Sequence, residues 1–292
     1  MKTTELSATD HSAGRATGRL TRLVTGGAWW CASLALFVGI WELTWAVGWS
    51  NPMLMPPPHI FLEDFLAQGR LFDRATRMGN PSAVEIMLTV LSTVALSMMR
   101  VLVGLAIAFV GSLAVGLAMR YAPLFAKLTL PTVNLLAPVS PIAWLPVAIA
   151  IFGIGNAPAI FLVFIALFFI MTLATLSLID DIPLEFVQLA RIMGATRWQI
   201  FLQVILPAIL PGLFVVMRLN LFAAWMIVLI AESAGVDSGL GLVVMVARNT
   251  FDAQLAFFTM TIIGVTGYLL DLALRQFQHR VLYWVPQGDR SA

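Results

Sequence analysis

The chain has 292 residues, of which 60% are hydrophobic and 11% are charged, and its formal net charge is +2. Soluble globular domains contain about 45–50% apolar and about 25% charged residues. The composition therefore excludes a soluble domain and indicates an integral membrane protein. A single cysteine, Cys31, also excludes a disulfide framework within one chain.

Six apolar segments have the length of a transmembrane helix, which needs about 20 residues. These segments are Ala28–Trp49, Met87–Met119, Leu128–Phe152, Ala157–Ile179, Ala208–Glu232 and Leu255–Leu274. We therefore expect an all-α membrane protein with about six spans. It divides into a disordered cytoplasmic N-terminal tail (1–25), a first span with its external connection (26–86), a core membrane domain (87–284) and a C-terminal tail (285–292).

The basic residues indicate which side of the membrane each connection faces. Most of them fall in the tails or toward alternate connections: Lys2, Arg15, Arg19, Arg22, Arg120, Lys127, Arg191, Arg197, Arg218, Arg275, Arg280 and Arg290. Because cytoplasmic loops carry an excess of Lys and Arg, we expect both termini and the connection between the fourth and fifth spans to be cytoplasmic.

Two external connections follow from this orientation. The first, Ser50–Glu85, contains FLEDFLAQGRLF, whose apolar spacing suits a helix lying on the membrane surface. A spacer is favoured there over a binding role. The last, Ser233–Gln254, contains Gly235, Gly239 and Gly241, and glycine allows sharp bends. A re-entrant or gate-lining loop is one interpretation of it.

The second predicted span has small residues on one helical face, namely Gly104, Ala108, Ser112 and Gly116. Small residues at this spacing let helices approach closely in lipid. We expect the stripe to pack within one chain, with a subunit interface as the alternative.

The third predicted span is rich in proline, so its helix must be kinked or partly unwound. Membranes tolerate such a break only where protein or a water-lined cavity satisfies the freed backbone groups. The candidates to line a path across the membrane are therefore Pro138, Ser140, Pro141 and Trp144. A simple kink made for packing is the alternative.

Charges inside the predicted spans also require an explanation, because such residues usually face the protein interior or a water-filled cavity. They are Glu42, Arg100 and Glu232. Arg100 and Glu232 are therefore further candidates for the path. Arg100 either attracts an anionic solute there or pairs with Glu232, and we favour the ion pair. Glu42 is assigned to a helix partner or interface.

The stretch Pro183–Pro207 is a polar interruption between two spans. Asp181 precedes Pro183, so a carboxylate can cap the first helix and proline can occupy its first turn. This helix should run to about Met193 and stop at Gly194, since glycine accepts the left-handed conformation that ends helices.

Thr196 and Gln199 form a capping-box pattern that predicts a second helix. Pro207 and Pro211 then mark where the chain should turn back into the membrane. The two helices would form an elbow, and its first helix has the mixed apolar and polar character of a helix that lies in a groove of a partner protein. An amphipathic linker on lipid headgroups is the alternative, and docking is favoured.

The elbow resembles the E-A-A-x3-G-x9-I-x-L-P loop of the membrane subunits of binding-protein-dependent ABC importers. The matching residues are Ala190, Gly194, Leu206 and Pro207, whereas Gln188, Leu189 and Val204 depart from the pattern. Further segments, including PVSPIAWLPVAIAIFGIG and AESAGVDSGLG, are similar to permeases for nitrate, aliphatic sulfonates, taurine and bicarbonate.

This resemblance implies a type I importer fold, with a homodimer of permeases, two cytoplasmic ATPase subunits and an external substrate-binding protein. It also implies that the elbow, residues 180–207, is the coupling helix that contacts the ATPase. The implied contact residues are Glu185, Gln188, Leu189, Ala190, Arg191, Gly194, Ala195, Arg197, Leu206 and Pro207. With Gln188 in place of the family's acid, shape and apolar contact should carry the coupling.

No G-x-x-x-x-G-K-[ST] phosphate loop is present, and the only lysines are Lys2 and Lys127. We therefore expect ATP and Mg on the partner ATPase, no cofactor on this chain and no enzymatic activity of its own. The three histidines, His11, His59 and His279, are not clustered with other ligands, so no metal site is expected. No nucleic-acid partner is expected either.

The predicted function is import of a small anionic solute across the bacterial inner membrane. An ion-coupled carrier that works without an ATPase is the alternative, and a membrane enzyme is the third class. A carrier should contain inverted repeats with coupling carboxylates near the midplane, and the sequence has no convincing internal repeat. An enzyme would need a polar catalytic constellation, and no such pattern stands out.

Overall fold

A computed structural model of the chain describes residues 28–29, 31–49, 51 and 53–283. Helices dominate these residues and no strand occurs among them, which confirms the all-α prediction. Both predicted tails, 1–25 and 285–292, lie outside the described residues. The chain divides into two compact units, Met1–Phe65 and Leu66–Ala292.

Within the first unit, an apolar helix α1 covers Cys31–Ala46 and a short helix α2 covers Pro58–Glu63. Glu42 accepts hydrogen bonds from His59, with 2.9 Å from Nδ1 to each carboxylate oxygen. Trp45 packs edge-on against the same imidazole, with ring centroids 5.1 Å apart. Glu42 therefore has a local partner, as the interpretation of its charge required.

Short elements occupy the rest of the first connection. They are α3 at Phe65–Gly69, a 3-10 turn at Arg70–Phe72 and α4 at Arg74–Met78. The single surface helix suggested by FLEDFLAQGRLF is therefore replaced by short pieces. The predicted helical conformation is present but interrupted, because the chain leaves it at Asp64. The location of these pieces on the membrane surface stays a prediction.

Four long apolar helices among the described residues could cross a membrane. They are α5 at Ala83–Tyr121, α8 at Asn156–Asp180, the helix that includes α11 at Leu206–Gly235, and α13 at Ala253–Val281. As described, α1 is a shorter apolar helix. The four long helices match four of the six predicted spans.

The third predicted span is not a single helix. It consists of α6 at Pro123–Leu136 and α7 at Leu145–Phe152, separated by a 3-10 turn at Pro141–Trp144. The two parts meet at an angle of 102°, so they form one broken span or a re-entrant loop. The break follows from Pro138 and Pro141, which lack the N–H group that would continue the helix.

The stripe of small residues packs α5 against α8. Its members Gly104, Ala108, Ser112 and Gly116 are all buried. A Cβ on Gly104 would lie 2.7 Å from the Val163 side chain, and one on Gly116 would lie 2.8 Å from Thr175. The expected packing within one chain is therefore confirmed.

Candidate functional site

The first helix of the elbow, α9, covers Leu184–Ile192. Gly194 follows it with φ +80°, the left-handed conformation predicted for this glycine. The N–H of Ala195 donates to the carbonyl of Ala190 at 3.0 Å, which satisfies one of the last carbonyl groups of the helix. The predicted stop is confirmed.

The expected cap by Asp181 is wrong. Pro183 occupies the N-cap of α9, and no side chain caps this helix. The preceding helix α8 continues to Asp180, so Asp181 becomes its C-cap residue and donates its N–H to the carbonyls of Ile179 and Ser177. The carboxylate of Asp180 instead lies 3.6 Å from Nε of Arg120.

The second elbow helix, α10, covers Arg197–Ile200 and begins with the predicted capping box. The Gln199 N–H donates to Oγ1 of Thr196 at 3.3 Å. In return the Thr196 N–H donates to Oε1 of Gln199 at 2.8 Å. The turn between α9 and α10 is therefore fixed at both of its ends.

Pro207 does not mark a turn of the chain, which corrects the sequence prediction. A π-helical turn at Phe201–Ile205 joins α10 to α11, and the Leu206 N–H donates to the Phe201 carbonyl. Proline in a regular α-helix removes one hydrogen bond and clashes with the carbonyl four residues earlier. The wider π turn relieves this conflict, so Arg197–Gly235 runs as one span-length helix. Pro211 also lies inside it.

The helix α9 has one inward face. Val187, Ala190 and Ala195 pack against a buried cluster made of Ile179, Ile200, Ile205, Ile209 and Leu213. This cluster joins the end of α8 to the start of α11, so the elbow is attached to both spans. Ala190 therefore helps to attach α9 to the body, and its contact with a partner stays a prediction.

The outward side of α9 carries large apolar residues that other described residues do not cover. They are Leu184, Phe186, Leu189, Ile192 and Met193. Ile192 is 83% exposed. Water contact with so much apolar area is unfavourable, and a contiguous exposed apolar patch marks an interaction surface. We call these five residues the outward face.

Polar residues lie next to the outward face in a cleft of about 330 Å³. Its lining includes Arg120, Asp180, Gln188, Arg191 and Arg197. The cleft therefore brings the ends of α5 and α8 together with α9 and α10.

The structure places the predicted coupling residues in two groups. Exposed on the elbow are Glu185, Gln188, Leu189, Arg191, Gly194 and Arg197. Half-buried are Ala190, Ala195, Leu206 and Pro207. The second group lies where the elbow joins the body. The contact of both groups with an ATPase stays a prediction.

Arg100 and Glu232 form the ion pair favoured above, with Nη1 2.6 Å from Oε1 and both side chains fully buried. Arg100 also donates to Asn156 Oδ1 and to Oγ and the carbonyl of Ser238. Glu232 accepts further bonds from Ser97 Oγ. The network ties α5, α8 and α11 together, which favours a structural role over contact with a solute.

The turn after α11 closes over this network. The Gly241 N–H donates to Glu232 Oε2 at 2.9 Å. Gly239 has φ +114°, and a Cβ there would overlap the Glu232 carboxylate, while a Cβ on Gly241 would overlap the Leu229 carbonyl. The connection that was predicted to be the last external one is largely an ordered helix, α12 at Leu240–Thr250, rather than an irregular loop.

The other predicted path residues lie at the break between α6 and α7. Pro138 and Ser140 are exposed, whereas Pro141 and Trp144 are half-buried. Their exposure differs from the full burial of Arg100 and Glu232. The role of all six residues in a path stays a prediction.

A third charged group, centred on Asp271, was not predicted from the sequence. Asp271 accepts from Nε of Arg218 at 2.7 Å and from Nε of Arg275 at 2.8 Å. The signal was available, since Asp271 and Arg218 both lie inside predicted spans. No group of three potential metal ligands from His, Cys, Asp and Glu occurs among the described residues.

Relatives of known type share most of the chain. Over 253 residues it is 30% identical to a putative ABC transporter permease protein of Methanocaldococcus jannaschii, covering 86% of this chain and 89% of that protein. Over 252 residues it is 28% identical to the taurine transport system permease protein TauC of Escherichia coli, and the match covers 86% of this chain and 88% of that protein.

The fold is similar to that of the MetNI methionine ABC transporter solved in inward-facing conformations. The TM-score is 0.59 at 21% identity, and the match covers 70% of this chain and 99% of that one. Residues 108–283 match the family described as binding-protein-dependent transport system inner membrane component. This chain, with its elbow and long apolar helices, therefore belongs to that family of inner-membrane ABC transporter permeases and is a transport component rather than an enzyme.

Proposed function

We propose that this chain is the permease subunit of an ATP-driven importer that receives a small anionic solute from an external binding protein. The observation that carries the proposal is the elbow, whose outward face is apolar and whose second helix continues into the span α11. A partner that moves this elbow also moves a membrane-spanning helix.

The partner that fits the outward face is a cytoplasmic ATPase subunit. A helix with an apolar face binds in a groove of its partner, and the family name implies a transport system with several components. Because the chain has no phosphate loop, ATP and Mg would be held by that partner. The full complex would contain two permeases and two ATPase subunits.

The elbow would face the cytoplasm together with both termini. Arg120, Arg191 and Arg197 gather at the elbow end of the helices, and basic residues are enriched on the cytoplasmic side. This orientation leaves α12 and the turn at Gly239 on the external side, where a binding protein would deliver the solute.

The coupling would work through rigid attachment. The inward face of α9 is bound to the isoleucine-rich cluster between α8 and α11, so a force on the elbow reaches both helices. ATP can change the access of the path only by binding one arrangement more tightly than the other. The elbow lets the ATPase impose that difference.

The solute class follows from relatives. TauC is named for taurine, which carries a sulfonate group, and the sequence resembles permeases for nitrate, sulfonates and bicarbonate. We propose a solute of this kind, with a small anionic head.

The test is uptake of radiolabelled taurine and nitrate into proteoliposomes that contain the permease, the ATPase subunits and the binding protein from the same organism. We expect uptake only when ATP is present in the compartment that contains the ATPase subunits. Uptake should stop when these subunits are omitted. Uptake that continues without the ATPase under an ion gradient would support the ion-coupled carrier instead.

A further inference from the structure

Three charged side chains meet between α11 and α13, apart from both the elbow and the Arg100 network. Nε of Arg218 lies 2.7 Å from Oδ1 of Asp271, and Nη2 of Arg275 lies 2.7 Å from Oδ2 of the same carboxylate. We call Arg218, Asp271 and Arg275 the α11–α13 charge cluster.

The charges of this cluster do not cancel, since two guanidinium groups face one carboxylate. The carboxylate is enclosed, with 4% of its side chain exposed, while the side chains of Arg218 and Arg275 are 36% and 48% exposed. The excess positive charge therefore lies on the open side of the cluster.

Two members of the cluster lie well inside helices that could cross a membrane. At a rise of 1.5 Å per residue, Arg218 is about 18 Å from the start of α11 and Asp271 is about 15 Å from the end of α13. Charged side chains at such depth face a bundle interior or a water-filled cavity rather than lipid. The bonds to Asp271 also hold both guanidinium groups in place, which opposes their extension to the membrane surface.

The cluster keeps hydrogen-bond donors unused. Among the described residues, no acceptor is bound by the two Nη groups of Arg218. A guanidinium presents paired N–H groups that match the spacing of oxygens on an oxoanion. Asp271 thus binds one edge of the Arg218 guanidinium group and leaves its other N–H donors available to another ligand.

We propose that the α11–α13 charge cluster faces the water-filled translocation path and attracts the anionic head of the solute. The cluster is the electrostatic filter of the path, because a fixed excess cation raises the local concentration of anions and lowers that of cations. This inference rests on the proposed function and adds the residues that select for charge.

The test uses the whole complex and a reporter cysteine. Cys31 is the only cysteine of the chain, so Cys31→Ser gives a cysteine-free background. Val215, which is exposed and one turn from Arg218, is changed by Val215→Cys. Labelling rates are measured with an anionic sulfonatoethyl and a cationic trimethylammonioethyl methanethiosulfonate. Met78→Cys, on the exposed α4, serves as the control reporter.

We expect the anionic reagent to label Val215→Cys faster than the cationic one when each rate is divided by that reagent's rate with a free thiol in solution. Adding Arg218→Gln should lower the ratio of the two rates about tenfold, as expected for removal of one nearby charge in partly water-filled surroundings. Arg218→Lys should keep the ratio, and Met78→Cys should show no change with Arg218→Gln. Retained ATPase binding shows that each variant is folded.

The proposal is overturned if Val215→Cys reacts with neither reagent, or if the normalised rate of the anionic reagent is equal to or lower than that of the cationic one. These outcomes are separate from a failure of the proposed function. That failure would appear as absence of ATP-driven taurine and nitrate uptake, whereas the labelling rates report only the water access and the charge of the cluster.

Discussion

Glu232 is the residue on which a buried polar network converges. Its carboxylate accepts bonds from Arg100, Ser97 and the backbone N–H of Gly241. Arg100 in turn is satisfied by Asn156 and Ser238. Each partner thus offsets the desolvation of the other, and removal of one leaves a buried charge unpaired.

The first prediction concerns this ion pair. Glu232→Leu should destabilise the permease by about 3–5 kcal/mol, because Arg100 keeps a buried charge without its counterion. The double variant Arg100→Met with Glu232→Leu should be closer to wild type. Thermal unfolding in detergent measures both. If the double variant were less stable than Glu232→Leu, the pair would not be coupled as described.

Some of these charged residues could be predicted from the sequence, and others could not. Charges inside apolar segments identified Arg100 and Glu232, because the cost of an unpaired charge in a membrane is independent of fold. The same rule applied to Asp271 and Arg218 and was not used there. The serine and asparagine partners of Arg100 could not be found, since they come from distant parts of the chain.

At the scale of single elements, the turn between α11 and α12 depends on Gly239. Its φ of +114° is rare for residues with a side chain, and a Cβ there would overlap the Glu232 carboxylate. The glycine therefore provides both the backbone conformation and the space for the ion pair beneath it.

The second prediction follows from this turn. Gly239→Ala should displace Glu232 and lower the unfolding temperature of the permease in detergent, and it should reduce solute uptake as well. Gly264→Ala on α13 is the matched control, because a Cβ there meets nothing within 4 Å. Equal unfolding temperatures for the two variants would contradict the account of the turn.

The features of the elbow that could be predicted are those determined by a few consecutive residues. The Thr196 capping box and the stop at Gly194 depend on neighbouring residues, and both are present. The Asp181 cap failed because α8 continues further than its apolar segment. Pro207 was misread because the π turn at Phe201–Ile205, which accommodates it, has no clear sequence signature.

At the scale of the whole molecule, the helices connect two ends that have different chemistry. The elbow end carries the outward face and the arginine-lined cleft. The opposite end carries the closed turn over Arg100 and Glu232. The helix from Arg197 to Gly235 joins these two ends, so a movement of the elbow would reach the turn at the other end.

The apolar composition and the elbow motifs were enough to predict the family and the all-α fold. The break in the third segment was expected from its prolines, but its angle of 102° was not, since it depends on the packing of α6 and α7. The inward orientation of Ala190 was also hidden, because both faces of α9 carry apolar residues.

The central claim is that the outward face of the elbow couples the permease to an ATPase. The most direct measurement compares Ile192→Asp with Met78→Asp, two changes at side chains that are each 83% exposed. The readouts are copurification of the ATPase and ATP-driven uptake of taurine and nitrate. We expect Ile192→Asp to lose both, with uptake reduced about tenfold or more as for a charge buried in an apolar interface, and Met78→Asp to keep both. Wild-type copurification and uptake by Ile192→Asp would contradict the account.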